Sequence, residues 1–408
     1  MTSPAPLPDA SVPERLTDAP SRPHTVKLPG ELQVYARKAM RWRVGCDVTV
    51  LRDGGETYTA MLGAIAEAKT TICLETYILA SDHTGDRFKL ALIGRARAGV
   101  KVRLMYDAVG SFGLPDSWLA DLRAVGVEVI DFNPISPWRR RFRLSHRDHR
   151  KILVVDNELG FTGGLNIADD YAMVAEGGRG WHDIHCLLRG AIVLDLARLF
   201  RRGWIRAGGP PYEPTPPAGL AKGVGGTSFV RMLENTARRQ RTSIRRAYLH
   251  VIRTARHSVL IQNAYFLPDR GLRRALARAV ARGVDARVIV PGHSDVQVIE
   301  WASLYAMRRL AKRGVKMLRW GGVMMHAKTA VVDGLWATIG SYNFDAQSRF
   351  NNLEVTVEIL DPAVGQELVE AFHGNVPSCE PFDEACWHRM PWWRKAFAWM
   401  AFRLRRFL

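Results

Sequence analysis

The sequence has no long apolar run. No stretch of about eighteen consecutive apolar residues occurs in its 408 residues, so we expect no membrane-spanning helix. Residues 1–30 are rich in proline, serine and acidic side chains, and they lack the basic start and the apolar core of a secretory signal. The sequence therefore argues against export by that route and predicts that any contact with a membrane is peripheral.

Cysteine is scarce as well. The five cysteines, an odd number without a Cys-x-x-Cys pair, are Cys46, Cys73, Cys186, Cys379 and Cys386. This pattern predicts neither a disulfide framework nor a zinc site, and reduced, buried thiols are the expected state. Clusters of carboxylates are also missing around the motifs described below, so we predict no metal and no cofactor.

The composition is that of a folded and basic protein. Apolar residues make up 47% of the chain and charged residues 24%, as in ordinary globular proteins. The net charge of +18, with a pI near 10.1, favours a polyanionic partner, which is either nucleic acid or an anionic membrane. The charge alone does not distinguish these two partners.

One residue pattern occurs twice with identical internal spacing. In each copy a lysine follows a histidine by two residues, an aspartate by seven and an asparagine by seventeen, with a small-residue pair before the asparagine. The first copy is His149, Lys151, Asp156, Gly163-Gly164 and Asn166, and the second is His326, Lys328, Asp333, Gly340-Ser341 and Asn343. Such a duplication indicates one site built from two similar halves.

The order of predicted elements recurs together with the motif. Strand 72–79, helix 88–97 and strand 100–105 are matched by strand 258–266, helix 272–281 and strand 286–290. We therefore predict an α/β protein with two similar halves, mainly parallel sheets flanked by helices, related by a pseudo-twofold axis with the active site at their interface.

The predicted segments follow from composition. A Pro- and Gly-rich stretch separates the halves, and its glycines lack the Walker spacing of a phosphate loop, so it is interpreted as a linker. The segments are a disordered 1–30, a first half 31–206, the linker 207–227, a second half 228–375 and a basic amphipathic tail 376–408.

The repeated histidines and lysines suit phosphoryl transfer. On a strand, the two-residue spacing points His149 and Lys151 to the same face, and the same holds in the second copy. One imidazole can attack phosphorus while the other, protonated, donates to the departing oxygen, because the usual pKa of histidine is near 6.5. The lysines would neutralise the non-bridging oxygens. We expect His149 as the nucleophile and His326 as the acid, although the spacing also permits the reverse.

Each histidine needs a carboxylate to orient its second nitrogen. Asp183 and Glu354 follow the two motifs at comparable distances and are the candidates, with their pairing left open. Asp156 and Asp333 fall at the far end of a strand, which favours a structural role. Phosphate contact and loop capping both suit the motif asparagines.

Two residues near the end of the first strand are further candidates. Glu75 and Tyr77 lie where they would line the pocket, but a buried glutamate paired with a basic residue is an equally good interpretation of Glu75.

The repeated motif resembles the signature of the phospholipase D superfamily, in which His-x-Lys is followed by Asp at this spacing. Over residues 47–360 the chain is similar to the bacterial cardiolipin synthases. The segments that carry this similarity are 75–79, 106–111, 263–268 and 291–295. The resemblance implies two phospholipase D-like halves and adds Asp156 and Asp333 to the catalytic set.

For activity, the resemblance implies transfer of a phosphatidyl group between two phosphatidylglycerol molecules, with release of glycerol and a phosphohistidine intermediate. The chain resembles the short form of these enzymes, which lacks two membrane-spanning helices. The implied location is the cytoplasmic face of the bacterial inner membrane. The implied partners are phosphatidylglycerol, cardiolipin and the membrane surface, and a monomer suffices because both motifs lie in one chain.

The C-terminal tail has an amphipathic pattern. Its apolar residues recur at helical spacing opposite arginine and lysine: Trp393, Phe397, Met400, Leu404 and Leu408. Interfacial membrane binding and packing against the protein's own core both fit this pattern. The basic run 138–143, just before the first motif, also suits lipid contact.

Two other functions fit parts of the sequence. Water as the acceptor would give a phospholipase D hydrolase or another phosphodiesterase or nuclease of the superfamily. A non-catalytic nucleic-acid-binding protein would use the basic surface but would not need two complete motifs. In the tail, the aromatic residues recur with a helical period. Proteins that bind single-stranded nucleic acid instead distribute aromatic side chains over a groove, where the bases stack on them, so we expect no nucleic-acid partner.

Overall fold

A computed structural model describes residues 28–37, 42–134, 146–216, 225–236 and 243–405. Most of the predicted disordered segment and all of the basic run 138–143 lie outside these ranges, as does the central part of the predicted linker. The strands of the first half are β1 (Arg43–Leu51), β2 (Thr71–Thr76), β3 (Lys101–Asp107), β4 (Glu128–Phe132), β5 (Ile152–Val155), β6 (Leu159–Gly163) and β7 (His185–Arg189). Those of the second half are β8 (Ser228–Asn235), β9 (Ser258–Asn263), β10 (Asp285–Pro291), β11 (Lys316–Trp320), β12 (Lys328–Val332), β13 (Trp336–Gly340), β14 (Glu354–Leu360) and β15 (Cys379–Phe382).

The described strands form one continuous sheet. Its order is β15-β11-β10-β9-β12-β13-β14-β8-β1-β7-β6-β5-β2-β3-β4. Outward from β1 and outward from β8 the strands follow each other in the same arrangement, and β1 pairs with β8 antiparallel. A pseudo-twofold axis therefore runs between these two strands, and the predicted α/β class with two similar halves is confirmed.

The expectation of mainly parallel sheets needs correction. Parallel pairing joins β2, β3 and β4 in one half and β9, β10 and β11 in the other, as the predicted crossovers require. The other described neighbours pair antiparallel, and each motif strand turns back on itself through a tight hairpin, from β5 to β6 and from β12 to β13. Asp156-Asn157 and Asp333-Gly334 occupy these turns with positive φ angles, the geometry that two-residue hairpins prefer. Apolar runs revealed the strands, but they do not encode strand direction.

Helices cover both faces of the sheet. The described helices are α1 (Gly30–Gln33), α2 (Gly54–Glu67), α3 (His83–Arg97), α4 (Asp116–Ala124), α5 (Ala191–Ala207), α6 (Ser243–Thr254), α7 (Arg270–Ala281), α8 (Gln297–Ala311), α9 (Ala346–Phe350), α10 (Pro362–Asn375), α11 (Glu384–Arg389) and α12 (Trp392–Leu404). Each half has its own core, under α2 to α4 and under α6 to α8. A third core, which contains Phe200 of α5 and Phe372 of α10, spans both halves on the opposite face and joins them.

The C-terminal segment contains more than an amphipathic helix. β15 adds an antiparallel edge strand to β11, and α12 packs along α8. α12 buries Ala398, Ala401 and Phe402. The other members of the predicted stripe are exposed, and Leu408 lies outside the described residues: Trp393, Phe397, Met400 and Leu404 are the exposed ones. Within the described ranges, no helix combines the length and apolar character needed to cross a bilayer.

Candidate active site

The two motif segments meet at the pseudo-twofold axis through strand-like contacts between the halves. The backbone N–H of His149 donates to the carbonyl of Leu353 in the second half (3.0 Å). The backbone N–H of His326 donates to the carbonyl of His182 in the first half (2.7 Å). Because Leu353 precedes Glu354 and His182 precedes Asp183, each bridge brings an acid of one half to the histidine of the other.

The first histidine is paired with Glu354. Nδ1 of His149 lies 3.2 Å from Oε2 of Glu354, and both side chains are buried. The Ser341 hydroxyl donates to the same oxygen, and the Ser348 hydroxyl donates to Oε1 (2.6 Å). Burial nevertheless dominates and raises the pKa of Glu354 to about 7. Burial, followed by the charges of Lys151 and Lys328, holds the pKa of His149 well below its usual range.

The second histidine is paired with Asp183 more closely. Nδ1 of His326 lies 2.7 Å from Oδ2 of Asp183, and the backbone N–H of Ile184 donates to Oδ1 of the same carboxylate (2.8 Å). Burial alone would raise the pKa of Asp183, but Lys328 and the bond with His326 outweigh it and lower the pKa. An ionised carboxylate only accepts hydrogen bonds, so Nδ1 of His326 carries the proton and Nε2 remains for chemistry.

The two motif lysines are buried, and their charges lower the pKa values of both histidines. In each copy the lysine ammonium donates to the carbonyl of its own histidine, at 2.7 Å for Lys151. Burial, reinforced for Lys151 by the charge of Lys328, lowers the pKa of Lys151 to about 7, and burial lowers that of Lys328 to about 8. Burial and then Lys328 also lower the pKa of His326 to about 4. Asp183 lies 3.9 Å from the Lys328 ammonium, and the two ammonium groups beside the histidines suit the binding of a phosphate anion.

Glu75 lies on the face of the sheet opposite to the motif histidine and lysine. Arg150, between the motif histidine and lysine, points away from them and pairs with Oε1 of Glu75 (2.7 Å) and with Oδ2 of Asp148 (2.7 Å). All three side chains are buried on the side of α5, where a Cβ at Gly203 would meet the guanidinium. Of the two interpretations of Glu75, pairing with a basic residue fits the structure, and lining of the pocket is corrected, because Arg150 and its partner Glu75 lie on the face of the sheet opposite to the motif histidine and lysine.

The two motif asparagines are used differently. Asn166 accepts from the backbone of Ile78 (3.1 Å) and donates to the Tyr171 hydroxyl (2.7 Å), so its amide caps a loop. Asn343 is buried, and its Oδ1 has no hydrogen-bond partner among the atoms that the structure describes. The capping alternative therefore fits Asn166, and Asn343 keeps hydrogen-bonding capacity for a ligand.

Tyrosine rings surround the histidines. The ring of Tyr77 meets that of His149 edge-on, with centroids 5.0 Å apart, and the Lys151 ammonium lies 5.3 Å from the Tyr77 ring centre. The Tyr171 hydroxyl lies 3.4 Å from Nδ1 of His326. Tyr77 thus lies where the sequence placed it.

Several site residues escaped the sequence analysis. Tyr171 and Ser348 lie outside the repeated spacing, and Ser341 belongs to the repeat but was given no role. Their contacts with His326 or with Glu354 arise only in the fold. One signal was present in the small-residue pair, which is Gly-Gly in the first copy and Gly-Ser in the second. A Cβ at Gly164 would fall 2.1 Å from Asp183, whereas Ser341 supplies a hydroxyl to Glu354.

The motif aspartates lie far from the histidines. Asp156 ends β5, and the carboxylate accepts from the backbone N–H groups of Lys69, Thr70 and Thr71. Asp333 ends β12 and accepts likewise from the backbone of Arg256, His257 and Ser258 and from the Tyr35 hydroxyl. Seven residues of extended chain place each aspartate roughly 20 Å from its histidine. Their inclusion in the catalytic set is corrected: they anchor the hairpins.

Replacing Asp156 by asparagine should therefore weaken folding and leave turnover unchanged. Asparagine tolerates the positive φ of this position but cannot accept all the bonds, so the free energy of unfolding should fall by about 1–3 kcal/mol. The pKa of Asp156 is lowered because the N–H donors outweigh burial, so its contribution is present above the unfolded pKa and is lost as pH falls through the folded pKa. Thermal melts against pH measure this, with the exposed neighbour Glu158→Gln as control. A loss of turnover per folded molecule would contradict the structural role.

The assembled site contains everything that metal-free transfer at phosphorus requires from side chains. Two imidazoles, each held by a carboxylate from the opposite half, lie beside two buried ammonium groups. No set of three or more His, Cys, Asp or Glu side chains in the described ranges is arranged to hold a metal ion. The fold and this pair of His-x-Lys segments define a phospholipase D-type protein.

Comparison with known proteins gives the family. Residues 61–175 and 248–375 match the family model described as cardiolipin synthase, PLD-like domain. The chain is 34% identical to the cardiolipin synthase of Geobacillus thermodenitrificans over 84% of this chain and 68% of that protein. It is 33% identical to that of Geobacillus kaustophilus over 82% of this chain and 68% of that protein. This chain belongs to the cardiolipin synthase family of phospholipase D-like proteins.

A solved structure supports the fold. The phosphatidylserine synthase of Haemophilus influenzae superposes with a TM-score of 0.72 at 14% identity, covering 93% of this chain and 99% of that one. At this level of identity the likeness concerns the fold, and it extends over both halves.

Proposed function

We propose that this chain transfers a phosphatidyl group from one phosphatidylglycerol to another, giving cardiolipin and glycerol. Its family and its relatives named cardiolipin synthase support this activity. The structural observation that carries the proposal is the crossed pairing, in which Glu354 holds His149 and Asp183 holds His326. Neither half alone contains an oriented histidine, so the duplication is required for the chemistry.

The first step forms a phosphohistidine. Nε2 of His149 attacks phosphorus, a P–N bond forms, and the P–O bond to glycerol breaks. His326, as the imidazolium, gives its Nε2 proton to the departing glycerol oxygen, while Lys151 and Lys328 neutralise the non-bridging oxygens. A phosphate anion between the lysines also raises the pKa of both histidines, since it offsets the charges that lower them in the free protein.

The second step reverses the proton transfer. A primary hydroxyl of the second phosphatidylglycerol gives its proton to Nε2 of His326, its oxygen attacks phosphorus, and the P–N bond to His149 breaks. The products are cardiolipin and the free enzyme, with every proton returned to its starting group. A 180° rotation of the Asn343 amide would place an N–H donor where its unpartnered oxygen lies, and we assign it to a phosphate oxygen.

The acids favour His149 as the nucleophile. Asp183 is ionised and lies only 2.7 Å from His326, which is the better arrangement for stabilising an imidazolium. Glu354 has a pKa near 7 and shares its oxygens with two serine hydroxyls, so it stabilises a positive charge on His149 less. A neutral imidazole at 149 and a protonated one at 326 match the two roles.

We further propose that the edge of the sheet that bears the site lies on an anionic membrane. β2 runs parallel to β3, and antiparallel to β5, so the carboxyl ends of the parallel strands and the motif histidines share one edge. Large apolar side chains are exposed in loops at this edge, after β3, β6, β10 and β11: Phe112 (83% exposed), Val174 (68%), Val296 (37%) and Val323 (52%). Exposed apolar residues gathered on one side of a basic protein are typical of a membrane contact.

α12 extends this surface. The helix packs on α8, which begins beside the site, and it exposes Trp392, Trp393 and Trp399 together with Phe397 and Met400. Tryptophan interspersed with arginine is the composition of interfacial helices. We therefore place the chain peripherally, at the cytoplasmic face of the bacterial inner membrane, with one chain sufficient for a complete site.

Replacing Trp392 and Trp399 by serine should weaken binding to phosphatidylglycerol vesicles by about tenfold per residue, because each loses an apolar ring from the interface. Transfer from a short-chain, monomeric donor should remain as in the parent protein. The matched control is Leu90→Ser, an exposed apolar residue on α3 away from the edge. Vesicle flotation with both substrates measures this, and unchanged flotation would exclude α12 from the membrane contact.

The test of the function is incubation of the purified protein with phosphatidylglycerol vesicles and analysis of the products by mass. Cardiolipin and glycerol in equal amounts are the expected result. Phosphatidic acid as the sole product would identify a hydrolase, and binding to DNA but not to vesicles at physiological salt would favour the nucleic-acid alternative.

A further inference from the structure

The second half contains a cavity of about 800 Å³ whose lining includes neither motif histidine and which the reaction described above does not use. Its volume lies within the range of small-molecule sites, roughly 300–1,000 Å³. Four arginines line it, and we call it the arginine pocket: Arg245, Arg270, Arg349 and Arg405. Asp269 and Asp345 are the acids in its wall.

The pocket carries an excess of positive charge. Among the residues that line the pocket, the guanidinium groups of Arg245, Arg270 and Arg349 face two carboxyl groups. Asp269 accepts from Arg245 (2.9 Å, from Nη2) and from Arg349 (3.0 Å), while burial raises the pKa of Asp345 to about 7. Nε of Arg349 is buried without a partner among the described atoms, and Arg270 is exposed. Donors thus remain for an anion, and arginine is the side chain that best matches a phosphate.

The first half lacks this feature. Asp82 precedes α3 as Asp269 precedes α7, so His83 stands in place of Arg270. Counted in the same way from the hairpin anchors Thr71 and Ser258, Tyr58 replaces Arg245, and counted from the motif asparagines, Ala172 replaces Arg349. The Tyr58 hydroxyl donates to the carbonyl of Asn166 in this half. The duplication keeps the chemistry at phosphorus in both halves but places the arginines in one.

The arginine pocket is connected both to the site and to the proposed membrane face. Asp345 accepts from the backbone of Ser348 (2.7 Å), whose hydroxyl donates to Glu354, the partner of His149. On the other side, Arg405 directly follows α12, the helix with the exposed tryptophans. A lipid with its acyl chains in the bilayer can therefore place a phosphate in the pocket while its headgroup points toward the histidines.

We propose that the arginine pocket binds the phosphodiester of the acceptor phospholipid, so that this site selects an acceptor bearing its own phosphate. The proposal rests on the proposed transfer function and names the part of the protein that favours a second anionic lipid over water. A reaction at one phosphorus needs a symmetric pair of histidines, whereas the two lipids play different roles and need an asymmetric feature.

Two acceptor substrates distinguish binding of the acceptor lipid from a general role in catalysis. Phosphatidylglycerol as acceptor gives cardiolipin, whereas labelled glycerol as acceptor regenerates labelled phosphatidylglycerol without placing a second phosphate in the protein. Arg270→Gln and Arg349→Gln should each lower cardiolipin formation by about tenfold or more, the effect of losing a charged hydrogen bond. Incorporation of labelled glycerol should change less than about twofold. Arg278→Gln, an exposed arginine on the same helix outside the pocket, is the control.

The outcomes are distinguishable. An equal fall in both reactions, or no change in either, would overturn the arginine pocket as the acceptor site. Inhibition of cardiolipin formation by inorganic phosphate in the parent protein but not in Arg270→Gln, without competition by phosphatidylglycerol, would assign the pocket to a free anion instead. A parent protein that makes no cardiolipin and incorporates no glycerol would refute the function itself. Arg270 is exposed, so its variant reports on the pocket even if Arg349→Gln destabilises the fold.

Discussion

Cardiolipin formation should fall by at least about 10³-fold when His149 is replaced by alanine, and His326→Ala should have a comparable effect. The first variant lacks the attacking nitrogen, and the second lacks the proton donor and acceptor. Incorporation of labelled glycerol into phosphatidylglycerol should be lost in parallel, because both reactions pass through the same phosphohistidine. Product analysis by mass, with folding checked by thermal melting, measures both effects.

A donor substrate with an acidic leaving group distinguishes the nucleophilic histidine from the general acid. p-Nitrophenol departs without a proton, so phosphatidyl-p-nitrophenol does not need the general acid. His326→Ala should therefore still release one equivalent of p-nitrophenol in a burst and accumulate phosphate on His149, whereas His149→Ala should give no burst. The opposite pattern would make His326 the nucleophile, and a burst from neither variant would exclude a covalent histidine intermediate.

The second large effect is expected at the crossed acids. Asp183→Asn should lower kcat by about 10²-fold or more, because the amide no longer stabilises an imidazolium at His326 or fixes its tautomer. Glu354→Gln should have a smaller effect, since Glu354 shares its oxygens with Ser341 and Ser348. The exposed Glu370→Gln on α10 is the control. Equal activity of Asp183→Asn and the parent protein would remove Asp183 from the mechanism.

The pH dependence distinguishes orientation from simple packing. Burial raises the pKa of Glu354 to about 7, and the ionised form is the one that accepts the Nδ1 proton of His149 and leaves Nε2 free to attack. In the parent protein kcat/KM should therefore rise with pH through about 7, and this limb should be missing in Glu354→Gln. At higher pH, kcat/KM should fall as Lys151 and Lys328, with pKa values of about 7 and about 8, lose their charges. A merely structural role of Glu354 would leave the acidic limb unchanged.

Much of the site could be predicted from sequence because of the duplication. Identical spacing identified the histidine and lysine of each motif. Comparable distances after the two motifs named Asp183 and Glu354 as the orienting acids without pairing them. The same spacing also misled, because Asp156 and Asp333 recur as faithfully as the histidines but anchor hairpins. A repeated spacing marks residues that both halves require, and both halves require the hairpin turn as well as the catalytic residues.

The residue periodicity of strands and helices also limits what the sequence can predict. The alternation of a strand placed lysine beside histidine, and the helical period of the tail identified its apolar stripe. Neither period could show that Glu75 pairs with Arg150 on the opposite face, since that ion pair joins two strands. Nor could they show that the tail first adds β15 to the sheet, because the pairing partner lies far away in the chain.

By itself the sequence determined the α/β halves, the four residues of the His-x-Lys pairs and the basic character of the chain. These features depend on local periodicity and on spacing within one segment. The tertiary structure alone decided that Glu354 serves His149, that Asp183 serves His326, and that Arg245, Arg270 and Arg349 converge in one half. The physical reason is that the contacts across the pseudo-twofold axis join residues up to 205 positions apart, and no local pattern encodes them.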